Sequence, residues 1–244
     1  MAKAIVNRLR GVIEKCIDTA QSAFVPGRLI SDNVLLAYEI LHTLKQKRVG
    51  RKGFMAMKLD MSKAYDRVEW NFVKEIMIRM GFAFSWIETI MECLTSISYS
   101  MIVNGFKREI FNPSRGLHQG DPLSLFMFLL CGEGLSSLMH LAMDEGLLRE
   151  VKASKSGPQV SHILFTDNCI LFSEASGRGA NVLKEILKKY RRCSGKNTPK
   201  IDRNLVVNIL GVRCSNDPES YLGLPNMVGR KKRESFQILK DRIK

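Results

Sequence analysis

The chain has 244 residues, 45% hydrophobic and 25% charged, which excludes collagen, a simple disordered chain and a polytopic membrane protein. Thirty-eight Lys and Arg stand against 24 Asp and Glu, a net charge of +14 that points to a polyanionic partner, nucleic acid before an acidic membrane surface. The excess is uneven: residues 1–177 hold 21 basic and 18 acidic side chains, residues 178–244 hold 17 and 6.

In chain order, Ile5, Leu9, Ile13 and Cys16/Ile17 recur at helical spacing, so an amphipathic helix is expected over the first 17 residues. Charges interrupt that segment too often for a signal peptide. Ser31-Asp32-Asn33 offer helix N-caps before a stripe of Val34, Leu35, Tyr38, Leu41 and Leu44. Phe54 to Leu59 reads as a strand ending at Asp60, and 69–80 and 84–96 read as helices parted by Gly81. Residues 98–104 and 107–111 form an expected hairpin turning at Asn104-Gly105. A long helix starts near Pro122 and runs to about Asp144. Residues 160–165 and 169–172 read as strands around Thr166-Asp167-Asn168, and 180–191 as a helix. This order is α+β rather than βαβ.

The longest apolar run, Leu125 to Cys131, is short of the roughly 20 residues that span a bilayer, so no transmembrane segment is expected. The six cysteines form no C-x-x-C pair, which speaks against structural zinc and for reduced thiols in an intracellular (nuclear or cytoplasmic) protein. The four histidines show no ligand spacing, so none is assigned to a metal.

Two aspartates end or turn apolar strands, Asp60 and Asp167. A carboxylate there costs free energy unless it is paired or holds a cation. Two on neighbouring strands suit hard divalent ions, and a pair of ions suits phosphoryl transfer. Either aspartate alone reads better as an ordinary strand-end turn residue.

The residues around them resemble the reverse transcriptases of plant LINE-type, non-LTR retrotransposons. Leu59-Asp60-Met-Ser-Lys-Ala-Tyr65-Asp66-Arg-Val-Glu-Trp70 is similar to the first palm motif of that family. Ser114-Arg-Gly-Leu-His-Gln119-Gly120-Asp-Pro-Leu-Ser124 resembles its R-G-L-R-Q-G-D-P-L-S, and His162-Ile-Leu-Phe-Thr-Asp167-Asn168 its H-L-L-F-A-D-D. Gln21 to Arg28 resembles a fingers motif, and Tyr221-Leu222-Gly223 a palm–thumb junction. The five motifs keep the family's order.

The resemblance implies a right-hand polymerase fold: fingers and palm with little thumb, and an antiparallel palm sheet with packed helices. It implies one incomplete domain over 1–244, with fingers about 1–53, palm 54–223 and the start of a thumb at 224–244. Asp60 and Asp167 would ligate two Mg²⁺, helped by the Met61 carbonyl, with Asn168 as their catalytic neighbour. Tyr65 would lie under the incoming sugar and exclude a 2′-hydroxyl; without the motif it is an ordinary core aromatic. Gln119 and Gly120 would sit at the nascent base pair, or simply form the loop before a proline-started helix. Arg28 would hold a phosphate, or be a solvated surface arginine. The partners implied are an RNA template, a DNA primer and deoxynucleotide triphosphates, without a membrane.

The sequence also departs from the family. Asn168 replaces the second aspartate, Thr166 an alanine, His118 an arginine and Leu125 a proline. A stretch expected after Cys193-Ser-Gly195 is missing, which reads as a deletion near 195–200. Three readings follow: an impaired RNA-directed DNA polymerase, a non-catalytic remnant that still binds nucleic acid, and, less well matched, an intron maturase.

Overall fold

The computed structural model describes residues 2–46, 53–61, 65–152 and 157–195, with the backbone alone for Lys45, Gln46 and Asp60. The expected deletion at 195–200 beyond Gly195, the junction motif at 221–223, the thumb and the rest of the basic C-terminal quarter lie outside the described residues.

Helices α1 (Ala2–Arg10) and α2 (Ile13–Cys16) replace the single N-terminal helix expected. The break falls at Gly11-Val12, and glycine is the weakest helix former after proline. The apolar spacing still works, because Ile5, Leu9, Ile13 and Ile17 are all buried. Helix α3 (Ile30–Gln46) starts before its expected caps. Its buried face runs through Asn33, Ala37 and Ile40, and Leu35 is exposed. Asn33 is therefore no cap: its amide donates to the carbonyls of Ala20 (2.9 Å) and Leu164 (3.1 Å).

Strand β1 (Phe54–Asp60) is followed by α4 (Trp70–Arg79) and α5 (Phe84–Thr95), with Gly81 between them at φ +79°. The hairpin β2 (Tyr99–Val103) and β3 (Phe106–Phe111) turns at Asn104 and Gly105, both at positive φ, as a tight I′-like turn requires. Helix α6 (Pro122–Asp144) begins where Asp121 caps it, its carboxylate accepting from the Leu123 and Ser124 N–H groups at 3.3 and 3.2 Å. A two-stranded pair, β4 (Val151–Lys152) and β5 (Gln159–Val160), precedes β6 (His162–Phe165), β7 (Asn168–Glu174) and α7 (Gly177–Ser194).

The main sheet has the antiparallel order β1-β7-β6. Residues 20–22 extend it: Gln21 bridges Leu164 in parallel, and Leu164 N–H donates to the Ala20 carbonyl at 2.8 Å. Strand β7 is buried on both faces, so its apolar residues run almost without interruption. Cys169 and Leu171 join the large core beneath α6, while Ile170 and Phe172 join a smaller one with Ala37 and Ile40 of α3.

Helix α6 organises the large core. Thirteen of its residues are buried, and it packs against α1, α4, α7 and β6. Among the described residues it is the one helix long and apolar enough to cross a membrane, which the run 125–131 by itself does not indicate. Here its apolar surface is spent on the core.

Gly195 ends α7 in the left-handed region at φ +70°, and a Cβ there would stand 2.3 Å from the Arg67 carbonyl oxygen. Gly195→Ala is therefore expected to destabilise the fold by about 1–3 kcal/mol, read by chemical denaturation. An unchanged midpoint would mean that the contact between the end of α7 and residues 67–69 is dispensable.

Candidate active site

The end of the main sheet gathers the residues that sequence pattern singled out. Strand β1 ends at Asp60, whose Cα partner on β7 is Asn168. One residue on, the Met61 N–H donates to the Asp167 carbonyl at 3.1 Å. Backbone pairing thus brings the Asp60 position against the Asp167-Asn168 turn.

Asp167 is half-buried. Its Oδ1 accepts from the Asn168 side-chain N–H at 3.3 Å, and Thr166 Oγ1 stands 3.0 Å away. Thr166 Oγ1 is also 2.8 Å from the Phe165 carbonyl, and its single proton serves one acceptor at a time. An ionised carboxylate only accepts, so the Asn168 amide must present N–H to it. An amide donor stands where the family resemblance implies a second carboxylate. Thr166 has φ +50°, an unfavourable place for a β-branched residue.

Hard divalent cations prefer oxygen ligands. The Asp167 carboxylate, the Met61 carbonyl and the Asn168 amide oxygen are of that class, so the residues fit such an ion. They offer one negative charge fewer than a turn with two aspartates.

Tyr65 stands beside this corner. Its ring stacks on Phe128 of α6, with centroids 4.2 Å apart and planes 7° from parallel. Burial, then the Asp167 charge, pushes its hydroxyl up to about 12, so it stays protonated in ordinary buffers. The backbone around it is fixed by the 115–117 segment. Leu117 N–H donates to the Tyr65 carbonyl and Gly116 N–H to the Val68 carbonyl, both at 2.8 Å. The Trp70 indole donates to the Gly116 carbonyl at 2.7 Å. Gly116 has φ +96°, and a Cβ there would meet the Asp66 carbonyl oxygen at 2.9 Å. This glycine permits the two motifs to touch.

Gln119 and Gly120 follow on an exposed loop leading to the Asp121 cap, and Gly120 has φ +101° with open space around it. His118 Nδ1 lies 3.2 Å from the Tyr99 hydroxyl, tying the loop to β2.

Arg28 does not sit at this corner as a free cation. Its guanidinium donates to the carbonyls of Asp18, Gln21 (2.7 Å), Ile17 (2.8 Å) and Glu14 (3.3 Å). It braces the 14–21 segment, a third role beside the phosphate ligand or solvated arginine expected. Sequence spacing also missed a second constellation. His140 of α6 and His162 of β6 meet Asp18, with one ligand atom from each within 4.8 Å of the others. Nothing in the sequence signals it, because 122 positions separate Asp18 from His140.

The family model for reverse transcriptase (RNA-dependent DNA polymerase) matches residues 1–224. The chain belongs to the reverse transcriptase family. It is 45% identical over 67 residues to an uncharacterized mitochondrial protein of Arabidopsis thaliana, covering 28% of this chain and 55% of that one. It is 30% identical over 156 residues to the transposon TX1 uncharacterized 149 kDa protein of Xenopus laevis, covering 62% and 11%. It is 28% identical over 158 residues to the retrovirus-related Pol polyprotein of the type-1 retrotransposable element R2 of Nasonia vitripennis, covering 65% and 14%. The chain thus spans about half of the first relative and a small part of the others. These relatives agree with the retrotransposon resemblance of the motifs. In fold it is similar to telomerase from Candida albicans, with a TM-score of 0.55 at 13% identity over 80% of this chain and 34% of that one. The telomerase from Candida tropicalis gives 0.54 at 12%, over 81% and 32%. The architecture is the right-hand polymerase fold. Reverse transcriptases work with divalent metal ions, in keeping with the oxygen ligands at the end of the sheet.

This reverse transcriptase domain carries a buried histidine with a clear pH signature. Burial, opposed by the Asp18 charge and aided by His140, pushes His162 down to about 4 from an ordinary 6.5. Ser136 and Ser161 hydroxyls complete its surroundings at 3.0 and 2.8 Å. Between pH 6.5 and 4 the unfolded imidazole binds a proton that the folded one refuses. Stability is therefore expected to fall as pH falls through that window, by on the order of 3 kcal/mol at pH 4. Denaturant midpoints in chelating buffer, for the chain and for His162→Gln, test this: the loss should shrink in the variant.

Proposed function

We propose that this chain is an RNA-directed DNA polymerase domain of a non-LTR retrotransposon whose chemistry is impaired at one position. It would add deoxynucleotides to a DNA 3′-end on an RNA template. The observation that carries this reading is the β1–β7 register, which sets Asp60 against the Asp167-Asn168 turn with Tyr65 stacked beside it. Two Mg²⁺ ions, when bound, would activate the attacking hydroxyl and offset charge on the transferred phosphoryl group.

The protein's own residues do the rest. Asp60, Asp167 and the Met61 carbonyl hold the cations. Asn168 lends an amide oxygen at most, and only by turning its N–H away from Asp167. Tyr65, braced by Phe128 and by Leu117, is rigid enough to reject a 2′-hydroxyl by collision. Gln119 and Gly120 border the nascent pair, Gly120 leaving room for close backbone approach. The fingers would span about 1–53, the palm 54–223, with the thumb beyond. The second reading, a remnant that binds nucleic acid without polymerising, is favoured by Asn168 alone among the described residues.

Primer extension on RNA with Mg²⁺ decides between the two. The expected outcome is weak extension, raised by Asn168→Asp without reaching the level of an intact enzyme, since strained Thr166 and the expected deletion remain. No extension by either protein would favour the remnant; robust extension by the unaltered chain would remove the impairment from the reading. Binding to an RNA–DNA hybrid should weaken steeply with salt, as neutralised phosphates require. A salt-independent affinity would contradict a basic nucleic-acid surface.

A further inference from the structure

We propose that Asp18, His140 and His162 form a second metal site, one that takes a borderline divalent cation of the zinc class. It lies at the other end of β6 from the Asp167 turn: His162 opens the strand and Phe165 closes it, three steps or about 10 Å later.

The geometry is that of ligands nearly in place. One donor atom from each of the three residues lies within 4.8 Å of the other two. A tetrahedral ion with bonds of about 2.0–2.1 Å needs donors about 3.3 Å apart. His140 Nε2 and Asp18 Oδ2 are now 2.7 Å apart, a hydrogen bond that an ion entering between them would replace. About half of the His140 side chain is exposed, which leaves a coordination position open to water.

Two of the three ligands, Asp18 and His162, are oriented from behind, as metal sites favour. Asp18 Oδ1 accepts the Ala20 N–H at 2.7 Å, which leaves Oδ2 turned to the imidazoles. Buried His162 has a serine hydroxyl at each ring nitrogen, Ser161 on Nδ1 at 2.8 Å and Ser136 on Nε2 at 3.0 Å. An ion at one ring nitrogen requires the serine oxygen there to swing aside by a change of χ1, while the other serine fixes the tautomer. Ser136 and His140 are one helical turn apart on α6, and Glu133 lies one turn before Ser136. The Glu133 carboxylate accepts the Asp18 N–H at 2.9 Å and adds a second negative charge beside the cluster.

Donor chemistry selects the ion. Two imidazoles with one carboxylate suit zinc, cobalt or nickel; magnesium and calcium prefer oxygen throughout. The bound ion would tie three parts of the chain: the 17–21 segment that Arg28 braces, the second half of α6, and the strand leading into the catalytic turn.

The test uses the full chain, stripped with chelator and titrated with Zn²⁺ in millimolar Mg²⁺. One equivalent is expected to bind and to raise the melting temperature. His140→Ala, on an exposed side chain, and Asp18→Asn, which keeps the shape, should each weaken binding at least tenfold. Asp167→Asn should leave it unchanged, which separates this site from the catalytic corner and from the proposed polymerase activity. Co²⁺ in place of Zn²⁺ should give a visible spectrum without thiolate charge-transfer bands. Absence of binding, binding indifferent to both variants, or a thiolate-dominated cobalt spectrum pointing to the cysteines would overturn the proposal.

Discussion

The antiparallel register of β1 against β7 is the constraint on which the site depends. Seven residue pairs run from Phe54↔Glu174 to Asp60↔Asn168. Side chains alternate along a strand, so a slip of one residue would turn Met57 and Leu59 out of the core and carry Asp60 away from the turn. Burial therefore enforces the register: Met57 and Leu59 on β1 and Cys169 and Leu171 on β7 all belong to the large core. The same apolar contacts that stabilise the sheet fix where the acidic positions meet. The bond from Met61 N–H to the Asp167 carbonyl extends the pairing one step past the strand end, onto the β6–β7 turn.

A second docking depends on that one. The 115–117 segment lies against 65–68 through two main-chain bonds and the Trp70 indole, and α6 starts four residues later at its Asp121 cap. Phe128 follows on the second turn of α6 and stacks on Tyr65. Gly116, by lacking a Cβ, allows the approach that links the loop, the helix and the tyrosine. Tyr65, the loop before α6 and the Asp167 turn are thereby mounted on one rigid unit rather than on separate loops.

Much of this was legible because the signals are local. Asn104-Gly105 set the hairpin, Pro122 set the start of α6, and the apolar run before Asp60 set β1. What escaped depends on contacts distant in sequence. The stripe on α3 was misplaced because its inner face is chosen by Ala20 and Leu164, to which Asn33 is bonded. Arg28 reads in sequence as a phosphate ligand or a solvated cation because no sequence rule announces that four main-chain carbonyls converge on it. The pair β4–β5 has two residues per strand, too few to show alternation. Asp18, His140 and His162 come from a loop, a helix and a strand, and only the folded chain collects them.

The replacement at Asn168 shows how the fold and the chemistry pull apart. Two adjacent carboxylates on a half-buried turn repel each other, and a cation has to offset that repulsion. With Asn168 the repulsion is gone, and its amide donates a hydrogen bond to Asp167 instead. The metal-free turn gains from this, since an ionised acceptor finds a donor without an ion. A cation at this turn would lose one negative charge and would share Asp167 with the amide and hydroxyl already bonded to its Oδ1. Nothing in the β1–β7 register or in the core beneath it depends on a second carboxylate. A chain can thus keep the β1–β7 register and the core beneath it, and even steady the turn between β6 and β7, through a change that would weaken the hold on a divalent ion there.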